Sequence, residues 1–404
     1  MKKTIAMVLA LVLVFSLAAC GKGGSGSKEP IKVGHIADLT GTDALTGAQA
    51  KEAVDFAVQY IGKISGREVQ VVHGDSQSNA ANAADAARKL IEEDGVDVLV
   101  GPTMIGHKMA VANVAADAGV PVIFYNPTPT VPDIMNNEWV IGAAGSNPQM
   151  PTVMADYIYN TLGYTKVATL TKDDNGGQSY VNPFKEYFEK LGGSVVEQVW
   201  TAQDDIDFSS YMVPIANSDA ECLVAWTSGQ AAFSFWNDWD RSGPDMPVVA
   251  VFHGAFTDSF ICDGLSATNA DLVQNKLLGT NAPMTWAYNI DTPENKDFVE
   301  AWKEAHDGAI PIGNNLPGAA TQVMLLLKAA VESLDGDTSD SAALRDALLA
   351  ADITGPEGRT AFEDGSNMAV KSVFVVEVVQ LEDGSYNYGL VKEYADVPIM
   401  GLGG

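Results

Sequence analysis

Short apolar segments alternate with amphipathic segments from Ile31 to Phe252, and this alternation restricts the fold more than any other feature. Apolar stretches such as Val69–His73 precede segments with helical spacing of alanine and leucine, as in Ala80–Glu93. Parallel strands need a helical crossover between them, so this alternation predicts a parallel sheet with helices on both faces. The chain is therefore expected to be an α/β protein.

The series of alternating strands and helices occurs twice along the chain, and the second series begins after Trp139–Gly142. The later segments, including a strand pair at Lys371–Gln380 and Tyr386–Glu393, hold too few strands for a third domain, and we expect them to return to the first two units. The prediction is two doubly wound parallel-sheet lobes joined by a multi-strand hinge. Lobe I comprises 31–143 and 281–354, and lobe II comprises 144–280 and 355–397. Ligands bind at the carboxyl ends of strands in such sheets, so the cleft between the lobes is the expected site.

The N-terminus has the pattern of an export signal. Lys2 and Lys3 precede an apolar run from Ile5 to Ala19, which is shorter than the ~20 residues that span a bilayer. A Gly/Ser-rich linker follows Cys20 and extends to residue 30. No second long apolar run follows, so we expect an exported body without a transmembrane helix.

The net charge of the chain argues against two kinds of binding. Asp and Glu number 52 against 24 Lys and Arg, a net charge of −28 that disfavours nucleic-acid binding and a basic membrane-docking face.

Cys222 and Cys262 either pair in the oxidising compartment or remain thiols, and the apolar setting of Cys222 favours a buried thiol.

Motifs for catalysis, nucleotides and metals are incomplete. The segment Gly101–Lys108 approaches a phosphate-binding loop, but His107 stands in place of the lysine and Lys108 in place of the hydroxyl. The five histidines show no paired metal-ligand spacing, and no nucleophile–base motif is present. We therefore expect no enzyme activity, no metal and no cofactor.

Two strand-to-helix turns are suited to binding a polar solute. The first is Gly101–Gly106, and the second is Asn126–Thr130 after the next strand. Free N–H groups at a helix start, with a neighbouring threonine hydroxyl, bind a carboxylate without a cationic side chain. Each turn taken alone is equally compatible with ordinary loop and cap chemistry.

The order of several segments resembles the leucine/isoleucine/valine-binding family of ABC-transporter solute-binding lipoproteins. The segments are Leu17–Cys20, similar to a lipobox, then Ile31–Gly41, Gly101–Pro102, Ala118–Ile123, Asp174–Ser179 and Asp204–Tyr211. The resemblance implies the type I periplasmic binding protein fold, lipidation of Cys20, and a place in the periplasm or on the outer face of the cytoplasmic membrane. It also implies permease partners and a membrane link through the lipid alone.

The resemblance also implies which residues line the cleft. Thr128 matches a family threonine that binds the ligand carboxylate. Ile105 stands where the family has a serine, so that hydroxyl is missing unless Thr103 replaces it. Gly176 stands where the family has a tyrosine, and the family's aromatic before the first helix falls near Thr46. The implied ligand-binding set is Thr46, Thr103, Ile105, Gly106, Asn126, Pro127, Thr128, Asn175, Gly176, Trp226, Ser228 and His253.

His253 is the main departure from the family pattern, because an acidic residue that meets an α-ammonium is expected there. A buried ammonium needs a carboxylate partner, so the ligand lacks a free α-amine or Asp173 or Asp174 takes over. His253 as a core-edge histidine bonded to backbone, and Trp226 as core packing, are the alternatives.

The sequence favours a solute-binding lipoprotein of an ABC importer that captures an amino acid or a related small carboxylate. A ligand-sensing module of the same fold, for an amide or an aromatic acid, is the alternative. An extracytoplasmic enzyme is a weaker alternative, because the chain lacks the motifs for catalysis.

Overall fold

The structure is a computed structural model that describes residues 29–202, 205–227, 229–251, 259–311 and 315–403. Two lobes of α/β structure are built on parallel sheets, as predicted. Among the described residues, no helix is both long enough and apolar enough to cross a bilayer.

Lobe I has a parallel sheet in the order β2-β1-β3-β4-β5. β1 pairs with β2 from Ile31↔Val69 to Ala37↔Asp75. The helices cover both faces, and Asn79 caps one of them by accepting from the N–H groups of Ala81 and Asn82. The elements are β1 (Ile31–Ala37), α1 (Ala44–Ile61), β2 (Val69–Asp75), α2 (Ala80–Glu92), β3 (Val98–Val100), α3 (Ile105–Ala118), β4 (Val122–Phe124), α4 (Pro132–Met135) and β5 (Val140–Gly142).

Lobe II has a parallel sheet in the order β7-β6-β8-β9. The helix predicted over Met150–Leu162 is α-helical as far as Asp156 and continues as a π-helix over Tyr157–Leu162. The helix predicted over Phe208–Ala216 begins as a 3₁₀ turn at Ser209–Tyr211. The elements are α5 (Gln149–Asp156), β6 (Lys166–Lys172), α6 (Asn175–Lys190), β7 (Ser194–Thr201), α7 (Met212–Asn217), β8 (Cys222–Ala225), α8 (Gln230–Ser242), β9 (Val248–Ala250), α9 (Ser259–Ser266) and α10 (Ala270–Leu272).

The C-terminal third adds an antiparallel sheet in the order β10-β13-β12-β11, with β14 beside β13. The helices α12 and α13 of this C-terminal third pack with lobe I, whereas the strands β13 and β14 share an apolar cluster with lobe II. The chain therefore returns to both lobes. The elements are β10 (Asn281–Met284), α11 (Pro293–Ala305), α12 (Leu316–Ser333), α13 (Ser341–Ala350), β11 (Ile353–Gly355), β12 (Gly358–Phe362), β13 (Ala369–Gln380) and β14 (Tyr386–Val397).

Both remaining cysteines are buried thiols, so the disulfide alternative is not realised. Cys222 lies in β8, and burial raises the pKa of its thiol to about 12. A thiolate is the nucleophilic form, so Cys222 is chemically inert at neutral pH.

Candidate functional site

The carboxyl ends of β1, β3 and β4 lie side by side at one edge of the lobe I sheet. His35 is paired with Val100, and Val100 with Ile123, so the residues that follow these strands share that edge. Gly101 follows β3 with φ +82°, and a Cβ there would lie 2.6 Å from the carbonyl oxygen of Ile36. Only glycine fits such a close approach, which brings the turn after β3 against β1.

Asp38, the first residue after β1, is a fully buried carboxylate at this edge. It accepts hydrogen bonds from the Ser76 hydroxyl and from Thr103 Oγ1, the latter at 3.2 Å. His107 Nδ1 lies 3.0 Å from Asp38 Oδ1 without hydrogen-bond alignment. Burial acts to raise the pKa of Asp38, but His107 and the Ser76 hydroxyl outweigh burial and hold that pKa below its usual value. The proton of Thr103 is used by Asp38 in this arrangement and is not available to a ligand carboxylate.

Helix α3 begins at the same edge with free backbone donors. Its N-cap residue Met104 makes no side-chain cap. Within the described part of the chain, the N–H groups of Ile105, Gly106 and His107 meet no acceptor, and the N–H of Lys108 is the first to be bonded, to the Met104 carbonyl. A helix start of this kind attracts an anion.

The turn after β4 places unpaired polar atoms in the interior. Asn126 is 7% exposed and Thr128 is fully buried. Asn126 Oδ1 and Thr128 Oγ1 have no hydrogen-bond partner among the described residues. The backbone of the turn is tied down, because Lys108 Nζ donates to the carbonyls of Asn126 and Pro127 and the N–H of Thr128 donates to Gly145. Lys108 thus brings the start of α3 and this turn together.

A continuous set of hydrogen bonds connects the lobe I turn to lobe II. The N–H of Asn147, which lies in the segment that joins the lobes, donates to the Thr128 carbonyl at 2.9 Å. Asn147 Nδ2 donates to Ser179 Oγ at 3.1 Å, and Ser179 Oγ donates to the Gly176 carbonyl at 2.7 Å. Asn147 Oδ1 is buried and, among the described residues, has no partner. Thr128 and Gly176, predicted on opposite lobes, are therefore neighbours through Asn147.

Aromatic rings form the lobe II side of the edge. A Cβ at Gly176 would lie 4.0 Å from Trp226 Cη2, so these two predicted residues are adjacent. The Trp226 ring meets Tyr180 edge-on at 5.3 Å between centroids. Ile105 of lobe I packs against the same lobe II apolar cluster as Trp226. An isoleucine in place of a serine therefore adds an apolar contact between the lobes.

Three predicted residues stand apart. Thr46 lies in the first turn of α1, where the next residue, Gly47, is packed against the Asp38 backbone, but no contact joins Thr46 to the rest of the set. Ser228 and His253 lie outside the described residues, as does Cys20. Asn175 begins α6 beside Asp174, which caps that helix by accepting from the N–H of Gly177 at 2.7 Å.

Asp38, Lys108 and Asn147 are site residues that the sequence did not identify. In the sequence, Lys108 stands out only as a departure from the phosphate-binding loop pattern. Asp38 lies inside a segment that supports the family resemblance. Asn147 carried no signal, because its role depends on where the chain crosses between the lobes.

No cluster of three or more His, Cys, Asp or Glu side chains suited to a metal occurs in the described part of the chain. Two surface depressions lie outside this edge, one around Asp207, Asp238 and Asp240 and the other around Lys51 and Asp55. Buried polar atoms without partners occur instead at the edge between the lobes, which makes that edge the candidate ligand site.

Comparisons with known proteins identify the family of the chain. The profile of the periplasmic binding protein family matches residues 30–385. A Leu/Ile/Val-binding protein homolog 6 from Brucella abortus is 26% identical over 94% of both chains. An ABC transporter substrate-binding protein from Sphaerobacter thermophilus is 26% identical with a TM-score of 0.79, covering 91% of this chain and 98% of that one. A solute-binding protein from R. palustris, solved with benzoate, is 25% identical with a TM-score of 0.75 over the same shares. The chain has the type I fold and belongs to the periplasmic binding protein family, whose members bind solutes rather than catalyse reactions.

Proposed function

We propose that this protein is the solute-binding component of an ABC importer and that it captures a small carboxylate between its lobes. The main support is Thr128 Oγ1, a buried hydroxyl without a partner among the described residues that can donate to a carboxylate. Asn126 Oδ1 and Asn147 Oδ1 are also buried without partners there, and as acceptors they pair with donor groups elsewhere on a ligand. An unpaired buried polar atom costs about 1–3 kcal/mol, and a bound ligand that pairs with it recovers that cost. These atoms lie on the turn and the linking segment that connect the two lobes.

The ligand chemistry follows from the donors at this edge. The chain as a whole carries a charge of −28, so an anion gains nothing from the overall field. The N–H groups at the start of α3 and the Thr128 hydroxyl are local donors that suit a carboxylate. Asp38 lies close to these donors, but its carboxylate already accepts hydrogen bonds from Ser76 and Thr103.

The remainder of the ligand is proposed to be apolar or aromatic. Trp226 and Tyr180 supply ring surface, and Gly176 leaves room beside Trp226 where a tyrosine would stand. The relatives named for leucine, isoleucine and valine and the structure with benzoate are consistent with both types of carboxylate. Because His253 replaces the expected acidic residue, we propose a preference for acids without an α-amine. Comparing leucine with 4-methylpentanoate, which lacks only the amine, tests that preference.

The import role is proposed to depend on a lipid anchor at Cys20. The signal-like N-terminus and the Gly/Ser linker support it, because a tethered receptor stays close to a membrane transporter. Cell fractionation of a Cys20→Ser chain tests this part: release from the membrane is expected, and retention in the membrane pellet would contradict it.

Thr128→Val is the substitution that tests the ligand site. Valine keeps the shape but removes the hydroxyl, so ligand affinity should fall by about 1.5–3 kcal/mol, the contribution of a hydrogen bond to a charged group. The empty protein should keep its stability or gain some, because the Thr128 hydroxyl is buried without a partner. Calorimetric titration gives the affinity and thermal unfolding gives the stability.

Thr321→Val is the matched control. Thr321 is equally buried, but its hydroxyl donates to the Pro317 carbonyl at 3.0 Å within α12. Loss of the Thr321 hydroxyl should change the thermal stability of the protein and leave its affinity for the ligand unaltered. A Thr128→Val protein that binds normally but unfolds at a lower temperature would instead show that Thr128 is purely structural.

A further inference from the structure

Lys108 is a fully buried lysine that no carboxylate accompanies. It lies in the first turn of α3 and is 1% exposed, which is rare for an unpaired lysine. Its Nζ lies 3.1 Å from the Asn126 carbonyl oxygen and 2.6 Å from the Pro127 carbonyl oxygen. The Phe124 ring is 5.6 Å away, and no salt bridge to Lys108 forms among the described residues. Both of its acceptors belong to the turn that carries the unpaired side chains.

The number of acceptors matches the neutral amine. A neutral lysine carries two N–H donors and a protonated one carries three, while the described surroundings offer two carbonyl oxygens. Burial lowers the pKa of Lys108 to about 7. The titratable groups on neighbouring elements are His107 on α3, Asp38 after β1 and Tyr125 after β4, and Asp38 and His107 are paired with each other. Burial is therefore the cause of the lowered pKa of Lys108.

The turn after β4 is held from two sides. On one side Lys108 binds the carbonyls of Asn126 and Pro127, and on the other Thr128 exchanges backbone hydrogen bonds with Gly145 and Asn147. Without Lys108 two buried carbonyls would lose their donor, and the backbone between Asn126 and Thr128 would be free to rotate.

We propose that Lys108 is a positioning residue for the ligand-binding turn, and that its two hydrogen bonds fix the orientation in which Asn126 and Thr128 meet the ligand. This rests on the proposed function, because it assigns a role within that same site. Lys108 acts through the turn and does not itself contact the ligand.

Lys108→Met tests the proposal, because methionine has nearly the same length and no donor. The variant should fold yet bind the ligand at least roughly ten-fold more weakly, as expected for the loss of one or two hydrogen bonds. Lys108→Gln, whose amide also offers two N–H donors, should recover part of the affinity. Calorimetric titration with benzoate and with leucine on the purified full-length chain measures both.

Val111→Ala is the matched control, since Val111 is fully buried on the same helix and belongs to an apolar cluster that contains no residue of the turn. It should lose stability and keep its affinity. If Lys108→Met behaves like Val111→Ala, with lower stability but unchanged affinity, the positioning role is overturned.

Stability as a function of pH provides a second readout that needs no ligand. The pKa of Lys108 is lower in the folded chain than in the unfolded chain, so the unfolded chain holds more protons above pH 7 and stability should rise with pH between about 7 and 10. This rise should be smaller in Lys108→Met and Lys108→Gln. Identical profiles in all three proteins would overturn the assignment. A wild type that binds neither ligand would refute the proposed function, whereas a wild type that binds and a Lys108→Met protein that binds equally well would overturn only the positioning role.

Discussion

Two histidines, His35 and His73, form a hydrogen-bonded chain that becomes apparent only in the folded structure. His35 and His73 face each other across paired strands, with their Nδ1 atoms 2.9 Å apart. His73 Nε2 lies 2.9 Å from Asp55 Oδ1, and His35 Nε2 lies 3.1 Å from the Tyr125 hydroxyl. Burial lowers the pKa of both histidines, and with both rings neutral one arrangement satisfies all three contacts: Tyr125 donates to His35, His35 donates to His73, and His73 donates to Asp55. This polar chain ends at Tyr125, the residue before the ligand turn.

The chain of histidines predicts a specific acid sensitivity. Burial lowers the pKa of His35 to about 3, so its contribution to stability is complete above pH 6.5 and is lost as the pH falls towards 3. His35→Gln should be less stable at pH 7.5, yet lose stability less steeply between pH 6 and pH 4, by about 1.4 kcal/mol per pH unit. Urea unfolding at several pH values measures this slope.

His306→Gln serves as the control for that experiment, because His306, the residue that follows α11, is partly exposed and lies outside the polar chain. Its profile should run parallel to that of the wild type. Parallel profiles for His35→Gln as well would show that His35 does not titrate in this range.

The position of the turn after an apolar strand can be read from the sequence, but the side chain that binds its carbonyl groups cannot. Asn126, Pro127 and Thr128 follow an apolar strand, a position that marks them as a binding turn. Nothing in the sequence shows that the amine of Lys108, 18 residues earlier, reaches the Asn126 carbonyl. Such contacts depend on how helix and sheet pack, which periodicity does not report.

At the scale of elements, the strands of the C-terminal antiparallel sheet are connected by a buried ion pair. Lys371 Nζ on β13 lies 3.1 Å from Glu357 Oε2 in the turn between β11 and β12, and both side chains are fully buried. Thr285, after β10, donates to Glu357 at 2.6 Å, and Lys371 donates to Thr360 on β12 at 2.9 Å. Removing one partner of such a pair leaves a buried charge, which is strongly destabilising. The ion pair therefore fixes the relative position of β13 and the turn between β11 and β12.

The long regular elements were predictable, whereas the short antiparallel strands were missed. The sequence predicts helices over Pro293–Ala305 and Ser341–Ala350, and the structure has the same bounds, because proline or aspartate marks their starts. β10 contains Pro283 and only four residues, and β11 has three, so neither shows a periodic pattern. Their strand character comes from pairing with β13 and β12, which is a property of the tertiary structure.

At the scale of the whole molecule, the hydrogen bonds from Thr128 through Asn147 and Ser179 to Gly176 connect the two lobes at the candidate site. A ligand that binds the lobe I turn therefore meets the segment that must bend when the lobes move. Closure of lobes around a small molecule is a hinge motion, and its hinge residues belong to linking segments of this kind. We therefore expect ligand capture at the candidate site to be coupled to closure of the lobes.

The central claim is that the edge between the lobes binds a carboxylate, and calorimetric titration with matched pairs of ligands tests it most directly. Benzoate is paired with benzamide and 4-methylpentanoate with 4-methylpentanamide, so that each pair differs only in the carboxylate. The account predicts that at least one acid binds and that its amide binds at least ten-fold more weakly, because the free N–H groups of α3 and the Thr128 hydroxyl favour an anion. Equal binding of an acid and its amide, or tighter binding of the amide, would contradict it.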